Sequence, residues 1–445
     1  MASLTRQVFR VRPGEMGLVL ALGLLLLLNS FALQVSDIVS VSGFLSEVGV
    51  REILVVWIVD MTLIILAASA QSFFVDRFNR VRLLRYMIVG FALIYVVLRL
   101  LFFFQAPIWL SYSLLFLLAE QQWFFFPLIF WILANDIFDF SQSKRLFPLV
   151  AALGFIGQIL GFALTALVPT VLAHYNISTA ELLNLNVLIY LLAYLLAGTL
   201  NRVKIRQTRQ RTETWRETLM EGWGFVREVP SFRLLMLSML MGGAAITIVE
   251  YHFLVVSTER LIEPGQFQAF YSVIRLIETV AAILLQTFFT SHIIERFGLK
   301  NTFVILPVVV AAGTTWILGL PGLMSVTAGW LVSKLTFNTV DQSARKSLQS
   351  LVPEERRGRV SMFMESYILG LSVILGSIIA GVIVIVGAVA DNAQYTTAYL
   401  VVAAVLALLA LALIIRMRAV YETSLFNWRL KRRQRANQVL DKLSF

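Results

Sequence analysis

Residues 130–149 read FWILANDIFDFSQSKRLFPL, and this stretch decides how the rest of the chain is interpreted. Its first part is the end of a long apolar helix and its middle is polar. Lys144 and Arg145 then precede Phe147, Pro148 and Leu149, which open the next apolar run. A membrane helix must stop where water begins, and a basic pair at that point favours the cytoplasmic side. The stretch therefore predicts a cytoplasmic elbow between two membrane helices.

The composition places the rest of the chain in lipid as well. Hydrophobic residues make up 59% of the 445 residues and charged residues 14%, whereas soluble domains carry roughly 25% charged residues. Apolar runs of about 20 residues recur, and each is long enough to cross a hydrocarbon core of roughly 30 Å. We predict an all-α membrane protein with twelve transmembrane helices, at about 16–40, 51–75, 83–104, 107–138, 147–172, 182–201, 232–256, 265–292, 301–320, 322–347, 360–386 and 395–416.

The positive charge of the chain follows its topology. The net charge is +11, and Lys and Arg cluster at alternate ends of the predicted helices. This is the positive-inside pattern, with both termini on the cytoplasmic side. It explains the basic excess by topology and by attraction to a lipid bilayer with anionic headgroups, and it argues against nucleic acid as a partner. We expect an integral, multi-pass protein of a bacterial inner (plasma) membrane, and the sequence leaves its oligomeric state open.

A repeated motif divides the chain into two halves. SFFVDRFNR at 72–80 follows the second predicted helix, and SHIIERFGLK at 291–300 follows the eighth, with their acids, Asp76 and Glu295, 219 residues apart. The basic pair Lys144–Arg145 likewise returns as Arg357 and Arg359. Two six-helix halves of parallel topology are typical of major facilitator transporters. We predict an N-terminal bundle at 1–202, a cytoplasmic linker at 203–230, a C-terminal bundle at 231–416 and a basic cytoplasmic tail at 417–445.

The two short loops resemble the loop signature G-x-x-x-D-R-x-G-R-R of the major facilitator superfamily. In the first copy Ser72 replaces the leading Gly and Asn79 the turn Gly. Asn tolerates a left-handed backbone, so we expect the turn to survive. The alternative is a simple stop signal, in which an acid and an Arg cap the helix ends. Our candidates for gating residues are Asp76, Arg77, Arg80, Lys144, Arg145, Glu295 and Arg296.

The elbow itself resembles, without a gap, an elbow of the ATP/ADP translocase (nucleotide transporter) family of plastids and intracellular bacteria. Asp136 stands where that family tends to have Glu, and Phe147 where it tends to have Tyr. The resemblance implies a family of nucleotide carriers, and it carries over no substrate residues. The matching residues are Phe130, Trp131, Ala134, Asn135, Ile137, Lys144, Arg145, Pro148 and Leu149.

The linker has the pattern of a surface helix. Trp215, Leu219, Trp223 and Val226 recur at helical spacing in an Arg- and Glu-rich stretch that ends at Pro230. We predict an amphipathic helix lying on the cytoplasmic membrane surface. A solvated linker is the alternative.

Charges inside the apolar runs are the candidate substrate residues. A charge at the bilayer centre costs at least about 2.5–3.5 kcal/mol, so each needs a partner or a water-filled cavity. Arg275 and Lys334 are candidate anion-binding residues, because a guanidinium or an ammonium group suits phosphate or carboxylate. Asn338 lies one turn from Lys334 on the same helical face. The alternatives are a local ion pair between Arg275 and Glu278, and a pair between Lys334 and either Glu120 or Asp60.

The acids of the same runs are candidates for proton coupling. A buried carboxylate can exchange a proton, which makes Glu120, Asp60 and Glu278 candidate coupling or charge-balancing residues. For Glu120 a fixed counter-charge to Lys334 or Arg275 is equally consistent with the sequence.

Several motifs of catalysis are missing from the sequence. The chain has no cysteine, no G-x-x-x-x-G-K-[ST] loop and only three histidines, without metal-ligand spacing. We predict no enzyme, no cofactor and no metal site. The prediction is a secondary transporter working by alternating access, for a nucleotide or other small anionic substrate, by exchange or proton coupling. The alternatives are an exporter of drugs, lipids or other amphiphiles, and a non-transporting membrane scaffold or sensor.

Overall fold

The computed structural model describes residues 12, 15–75, 79–175, 178–200, 215–262, 265–390 and 395–441, and every regular element in these ranges is helical. The bounds of the first six long helices follow the apolar runs of the sequence. These helices are α1 (Met16–Glu47), α2 (Ile53–Val75), α3 (Arg80–Phe103), α4 (Ile108–Ile137), α5 (Phe140–His174) and α6 (Leu182–Thr199).

The second series begins with the amphipathic linker helix, and three of its later helices contain a π-helical segment. The helices are α7 (Trp215–Glu228), α8 (Pro230–Arg260), α9 (Gln266–Phe297, π-helical at Leu285–Phe289), α10 (Leu299–Gly319), α11 (Leu323–Thr336, Phe337–Asp341 and Gln342–Gln349, the middle part π-helical), α12 (Glu354–Met362, Phe363–Ile368 and Leu369–Val389, the middle part π-helical) and α13 (Tyr395–Asp441).

Within the described residues, ten helices are long and apolar enough to span a membrane, and Ile53–Ser69 is a shorter apolar helix. Helix α11 is not among them, because its apolar part is only 14 residues long and the polar segment Gln342–Gln349 follows. The prediction of an all-helical, multi-pass membrane protein is confirmed. The count of twelve spans and the cytoplasmic side of both termini stay predictions.

The described residues form two compact units. The first unit lies within 1–56, 70–212 and 258–279, and the second within 57–69, 213–257 and 280–445. In the first, the Ser42 hydroxyl donates to Gln268 Oε1 at 3.2 Å. In the second, the hydroxyls of Ser69 and Tyr367 lie 2.8 Å apart. Each unit thus includes a helical segment from the other half of the sequence, and the predicted boundaries at 202, 230 and 416 stay predictions.

Corresponding glycines allow helices to pack closely in both units. A Cβ on Gly157 of α5 would lie 2.3 Å from the Leu27 carbonyl oxygen of α1. A Cβ on Gly376 of α12, 219 residues later, would lie 2.7 Å from the Ala244 carbonyl oxygen of α8. Both contacts are closer than a Cβ tolerates, so only Gly permits this approach of the backbones. The internal repeat seen in the loops therefore extends to the helix packing.

The elbow at 130–149 is tighter than predicted. Helix α5 begins at Phe140, so Lys144 and Arg145 lie inside its first turns, whereas the sequence placed its start near 147. The Gln142 N–H donates to Asp139 Oδ1 at 2.8 Å, and the Asp139 N–H donates to Gln142 Oε1 at 3.0 Å. This reciprocal pair is a capping box, which starts the helix directly after Phe138. The D-x-x-Q spacing in the sequence signals it.

The two copies of the repeated loop turn by different means. Gly298 has φ +74°, a left-handed value that favours Gly. Asn79 instead has φ −61° and ψ 122°, and its side chain accepts from the N–H groups of Val81 and Arg82. Asn79 therefore does not use the left-handed backbone that Asn tolerates. The residue is an N-cap of α3, as Asn favours.

Helix α7 is packed into the second unit through a face that the sequence assigned only in part. Phe225 and Val226 are buried in one core with Phe363 and Tyr367 of α12, and a Cβ on Gly222 would meet Phe363. Trp223, predicted in the apolar stripe, is 49% exposed on the other side. A solvated linker is therefore excluded for α7, while its contact with a membrane surface stays a prediction.

Candidate functional site

A lysine–glutamate ion pair joins α8 and α11 in the second unit. Lys334 Nζ lies 2.8 Å from Glu250 Oε2 and 3.0 Å from Glu250 Oε1. The two side chains keep 22% and 23% of their surface exposed. The sequence suggested Glu120 or Asp60 as the alternative partners of Lys334. Glu250 is the acid that the structure brings to Lys334.

An aromatic pair lies on the same two helices. Trp330, one turn before Lys334, stacks on Phe253, one turn after Glu250, with ring centroids 4.5 Å apart and planes 9° apart. Trp330 is 1% exposed, and its indole N–H has no hydrogen-bond partner among the described residues. The stacked rings and the ion pair together fix how α8 and α11 face each other, because both contacts require the same register between the two helices.

Arg275 lies in the first unit, on α9, between two carboxylates. Its Nη1 is 2.6 Å from Glu278 Oε2, and its Nη2 is 3.7 Å from Asp37 Oδ2 of α1. The guanidinium also lies over the ring of Phe162, 5.9 Å from its centroid. The structure thus contains the local pair with Glu278 that the sequence left open. An anion bound by Arg275 must compete with both acids.

Three further residues predicted from the membrane segments differ in burial. Asn338 is half-buried in the π-helical segment of α11, and Glu120 is half-buried on α4. Asp60 of α2 is 0% exposed. Their predicted roles in substrate binding, coupling or charge balance stay predictions.

The predicted gating residues of the first unit form ion pairs. Arg80, at the start of α3, pairs with Asp136 near the end of α4, and both are buried. Arg145 Nη2 lies 3.0 Å from Glu15 Oε1, directly before α1. Each pair joins two helix ends, as a gate would require. Asp76, Arg77 and the side chain of Lys144 lie outside the described residues.

In the second unit the corresponding basic residue is Arg359, which pairs with Glu221 of the linker helix α7. Arg359 follows Arg145 by 214 residues and also stands near the start of a helix. Glu295 and Arg296, also predicted as gating residues, are exposed near the end of α9. The repeated feature is therefore an Arg on the helix after the basic elbow, paired with an acid that precedes the first long helix of the unit.

The electrostatic environment of Glu15 lowers its pKa. Burial alone would raise the pKa of this carboxyl, but it accepts hydrogen bonds from the backbone N–H of Arg12, from Arg145 and from Gln142, which together outweigh burial. The net pKa lies below the ordinary value of 4.5. Glu15 is therefore ionised at neutral pH and holds the guanidinium of Arg145 in place.

A buried hydrogen-bond network that the sequence did not reveal fixes the helices of the first unit. Tyr95 donates to Gln122 Oε1 at 2.6 Å and also contacts the Ser36 hydroxyl. Asn186 donates to the Ser36 hydroxyl at 2.7 Å, and Tyr190 donates to Asn29 Oδ1 at 2.9 Å. The network joins α1, α3, α4 and α6. Gln122, part of the polar patch that begins at Glu120, therefore serves packing.

A second cluster missed from the sequence lies in the second unit, where Arg345 of α11 pairs with Asp341 of the same helix and with Glu365 of α12. Arg345 is 2% exposed. The sequence showed Asp341 and Arg345 at a helical spacing of four, but their distance from Glu365 depends on how α11 and α12 pack.

The fold is similar to that of solved membrane transporters. The chain is similar to a mutant of the nucleoside transporter NupG, with 16% identity, a TM-score of 0.69, and coverage of 90% of this chain and 99% of that one. It is also similar to a bacterial homologue of the iron transporter ferroportin in an inward-facing state, with 14% identity, a TM-score of 0.65, and coverage of 92% and 100%. At such identities the similarity concerns the fold alone.

The sequence itself gives the family. The family model described as TLC ATP/ADP transporter matches residues 99–340, which is more than half of the chain. The chain belongs to the TLC ATP/ADP transporter family, as the elbow at 130–149 indicated. A comparison with curated proteins finds no significant match.

Proposed function

We propose that the protein is a secondary active transporter that works by alternating access and carries a nucleotide or another small organic anion. The Lys334–Glu250 ion pair is the observation that carries this proposal, together with membership of the family. Exchange of one anion for another is the mode that the ion pair favours, and no enzymatic step is proposed.

The exposed part of the ion pair indicates a polar cavity. A charged group that faces lipid near the bilayer centre costs at least about 2.5–3.5 kcal/mol. Lys334 and Glu250 nevertheless keep about a fifth of their surface exposed, so this surface is expected to face water and not lipid. An ammonium group in such a cavity is a binding point for a phosphate or carboxylate oxygen.

Glu250 supplies the counter-charge when no substrate is bound. A substrate anion then displaces Glu250 from Lys334, and the displaced carboxylate repels the anion in turn. This competition keeps the site from retaining its substrate, as transport requires, because affinity that is too high slows release. Trp330 can donate its free indole N–H to a substrate oxygen once the ion pair opens.

Topology and membrane contacts belong to the same proposal. We place both termini and the linker helix α7 on the cytoplasmic side of a bacterial inner membrane. The ion pairs Arg145–Glu15 and Arg359–Glu221 lie at helix ends and are proposed to open and close as the protein alternates. Arg275, Glu278, Glu120 and Asp60 are proposed to balance charge during this cycle.

Uptake into proteoliposomes tests the proposal. Purified protein is reconstituted, the vesicles are preloaded with unlabelled ATP, and the entry of labelled ATP, ADP and a panel of nucleotides is followed. The expected result is uptake that depends on internal nucleotide. Empty vesicles without protein, and vesicles preloaded with buffer, are the controls.

The outcome also separates the alternatives. Transport of an amphiphilic dye without transport of any nucleotide would support an exporter of amphiphiles. Folded protein that moves neither class of compound would overturn the transporter proposal and favour a scaffold or sensor.

A further inference from the structure

We propose that the cluster of Asp341, Arg345 and Glu365 is a proton-binding site, which takes up one proton on the carboxylate of Asp341. Its link to transport rests on the proposed function, whereas proton binding itself does not. The cluster lies in the second unit, apart from the Lys334–Glu250 pair, and is distinct from the acids that the sequence suggested for coupling.

The geometry places one guanidinium between two carboxylates. Arg345 Nη1 contacts Asp341 Oδ2, Nε lies 3.1 Å from Glu365 Oε1, and Nη2 lies 3.5 Å from Glu365 Oε2. Gln349 donates to Glu365 Oε1 at 3.0 Å and accepts from the Ser361 hydroxyl at 2.9 Å. The guanidinium carbon also lies 4.8 Å from the centroid of the Phe337 ring. The side chains of Asp341 and Arg345 are 8% and 2% exposed.

The charges of this cluster do not balance. One cation faces two carboxylates, and among the described residues Asp341, Arg345 and Glu365 form no other ion pair. The cluster therefore carries one net negative charge when both acids are ionised. A net charge in a buried place is costly, and one bound proton removes it.

Neighbouring charges are engaged elsewhere or point outward. On α12, Arg359 pairs with Glu221 of α7, and Arg357 donates to the backbone carbonyls of Ser350 and Val352. Lys346 of α11 is exposed and forms no ion pair with any described residue. On the other packed elements, His292, Glu295 and Arg296 of α9 are exposed, Lys300 of α10 pairs with Glu422 of α13, and Arg227 and Glu228 of α7 are exposed. Among the described residues, no cation other than Arg345 lies within ion-pair distance of Asp341 or Glu365.

Asp341 is the acid that the geometry selects for the proton. Glu365 is bound through both of its oxygens and also accepts from Gln349. Asp341 makes a single contact with Arg345 and is the more buried of the two acids. Hydrogen bonds favour the ionised form of a carboxyl and burial favours the neutral form. The proton therefore adds to a carboxylate oxygen of Asp341, and Glu365 stays ionised.

Both carboxylates lie on π-helical segments, which are often found at functional sites. Asp341 ends the segment Phe337–Asp341, and Glu365 lies within Phe363–Ile368. When Asp341 is protonated, Arg345 forms an ion pair only with Glu365, and this pair ties α11 to α12. When the proton leaves, Arg345 divides its charge between Asp341 on its own helix and Glu365 on α12. Protonation thus shifts the strength of one interhelical contact.

Infrared difference spectroscopy on the full-length protein in nanodiscs tests proton binding directly. Between about pH 5 and about pH 9 a protonated-carboxyl band should titrate in the wild type. The band should be absent from Asp341→Asn, which lacks the carboxyl group. It should also be absent from Glu365→Gln, because the charges of Asp341 and Arg345 then cancel and Asp341 needs no proton. Glu259→Gln, at an exposed acid, should keep the band. Carbon-13 labelling of aspartate in the wild type should shift it, which needs no variant to fold.

A band that ignores aspartate labelling, or that remains in both Asp341→Asn and Glu365→Gln, would overturn the proposal. The consequence for transport is measured separately, as nucleotide uptake with and without a pH gradient. Wild-type uptake should change about threefold or more when the gradient is imposed, and Asp341→Asn should respond by less than half of that change. A titrating aspartate without any nucleotide uptake would leave the proton site standing and refute only the proposed substrate.

Discussion

Lys334 Nζ lies 2.8 Å from Glu250 Oε2, so the cation proposed to hold the substrate is neutralised by an acid of the facing helix. Two helices of the same unit, α8 and α11, contribute one residue each. The pair is only partly covered, unlike the buried pair Arg80–Asp136. A partly covered ion pair can exchange its carboxylate for a substrate anion at a smaller cost of desolvation.

Substitution of Glu250 by Gln should strengthen the binding of an anion. The amide keeps the shape of the side chain but no longer competes for Lys334, so the KM for the transported anion should fall by about three- to tenfold. The maximal rate should fall as well, because release becomes slower. Initial rates of uptake over a range of substrate concentrations measure both. Glu259→Gln, at an exposed acid on the same helix, is the matched control. A higher KM in Glu250→Gln would contradict this competition. It would show instead that the Glu250 carboxylate helps to bind the substrate by accepting a hydrogen bond from it.

The ion pair between Glu15 and Arg145 should stabilise the protein in a pH-dependent way. Because the pKa of Glu15 is lowered in the folded state, its contribution is present above the unfolded pKa and is lost as pH falls through the folded pKa. Glu15→Gln should therefore lower the free energy of unfolding by about 1 kcal/mol at neutral pH. The difference from the wild type should shrink as the pH falls below the ordinary Glu value of 4.5. Thermal unfolding in detergent at several pH values measures this. An unchanging difference down to low pH would contradict it.

Gly157 should tolerate no side chain. An alanine Cβ at this position would lie 2.3 Å from the Leu27 carbonyl oxygen, so α1 and α5 must move apart. Overpacking of this kind costs about 1–3 kcal/mol, and Gly157→Ala should lower the thermal unfolding temperature clearly. Gly90→Ala on α3 is the control, because nothing lies within 4 Å of its Cβ. That variant should be neutral or more stable by up to about 1 kcal/mol. Equal unfolding temperatures for both variants would show that the α1–α5 contact is loose.

Charge reversal tests the docking of the linker helix. Glu221→Arg and Arg359→Glu should each weaken the contact of α7 with α12 and reduce uptake, because like charges then face each other. The double variant should recover most of the activity of the wild type. A cross-check is protease digestion of the linker, which should be faster in the single variants only. Additive losses in the double variant would indicate that the two residues act independently.

Much of the fold could be predicted because it follows local rules. Apolar runs gave the helices, and the repeated loops at 72–80 and 291–300 pointed to an internal repeat that the glycine contacts at Gly157 and Gly376 extend to helix packing. The elbow at 130–149 pointed to the family that the match over 99–340 gives. The start of α5 differs from the prediction because the capping box of Asp139 and Gln142 begins the helix ahead of the apolar run.

The candidate site was harder to predict because its contacts lie between helices. Lys334 and Glu250 are 84 residues apart, and Arg345 and Glu365 belong to neighbouring helices whose rotation the sequence does not specify. A hydropathy pattern gives the depth of a charge only within several residues, so it does not show that Glu250 faces Lys334. The pair of Arg275 with Glu278, which the sequence left open as an alternative, could be named in advance because both residues lie on one helix at a spacing of three.

One measurement decides whether Lys334 holds the substrate. Exchange of labelled ATP for internal ATP is compared in proteoliposomes that contain wild type, Lys334→Ala or Lys334→Arg, with equal amounts of folded protein verified by size exclusion. We predict that exchange falls by about 100-fold in Lys334→Ala, since a charge-assisted contact contributes up to about 3 kcal/mol, and that Lys334→Arg keeps a measurable part of it. Exchange by Lys334→Ala at the same rate as the wild type would contradict an anion site at the α8–α11 ion pair.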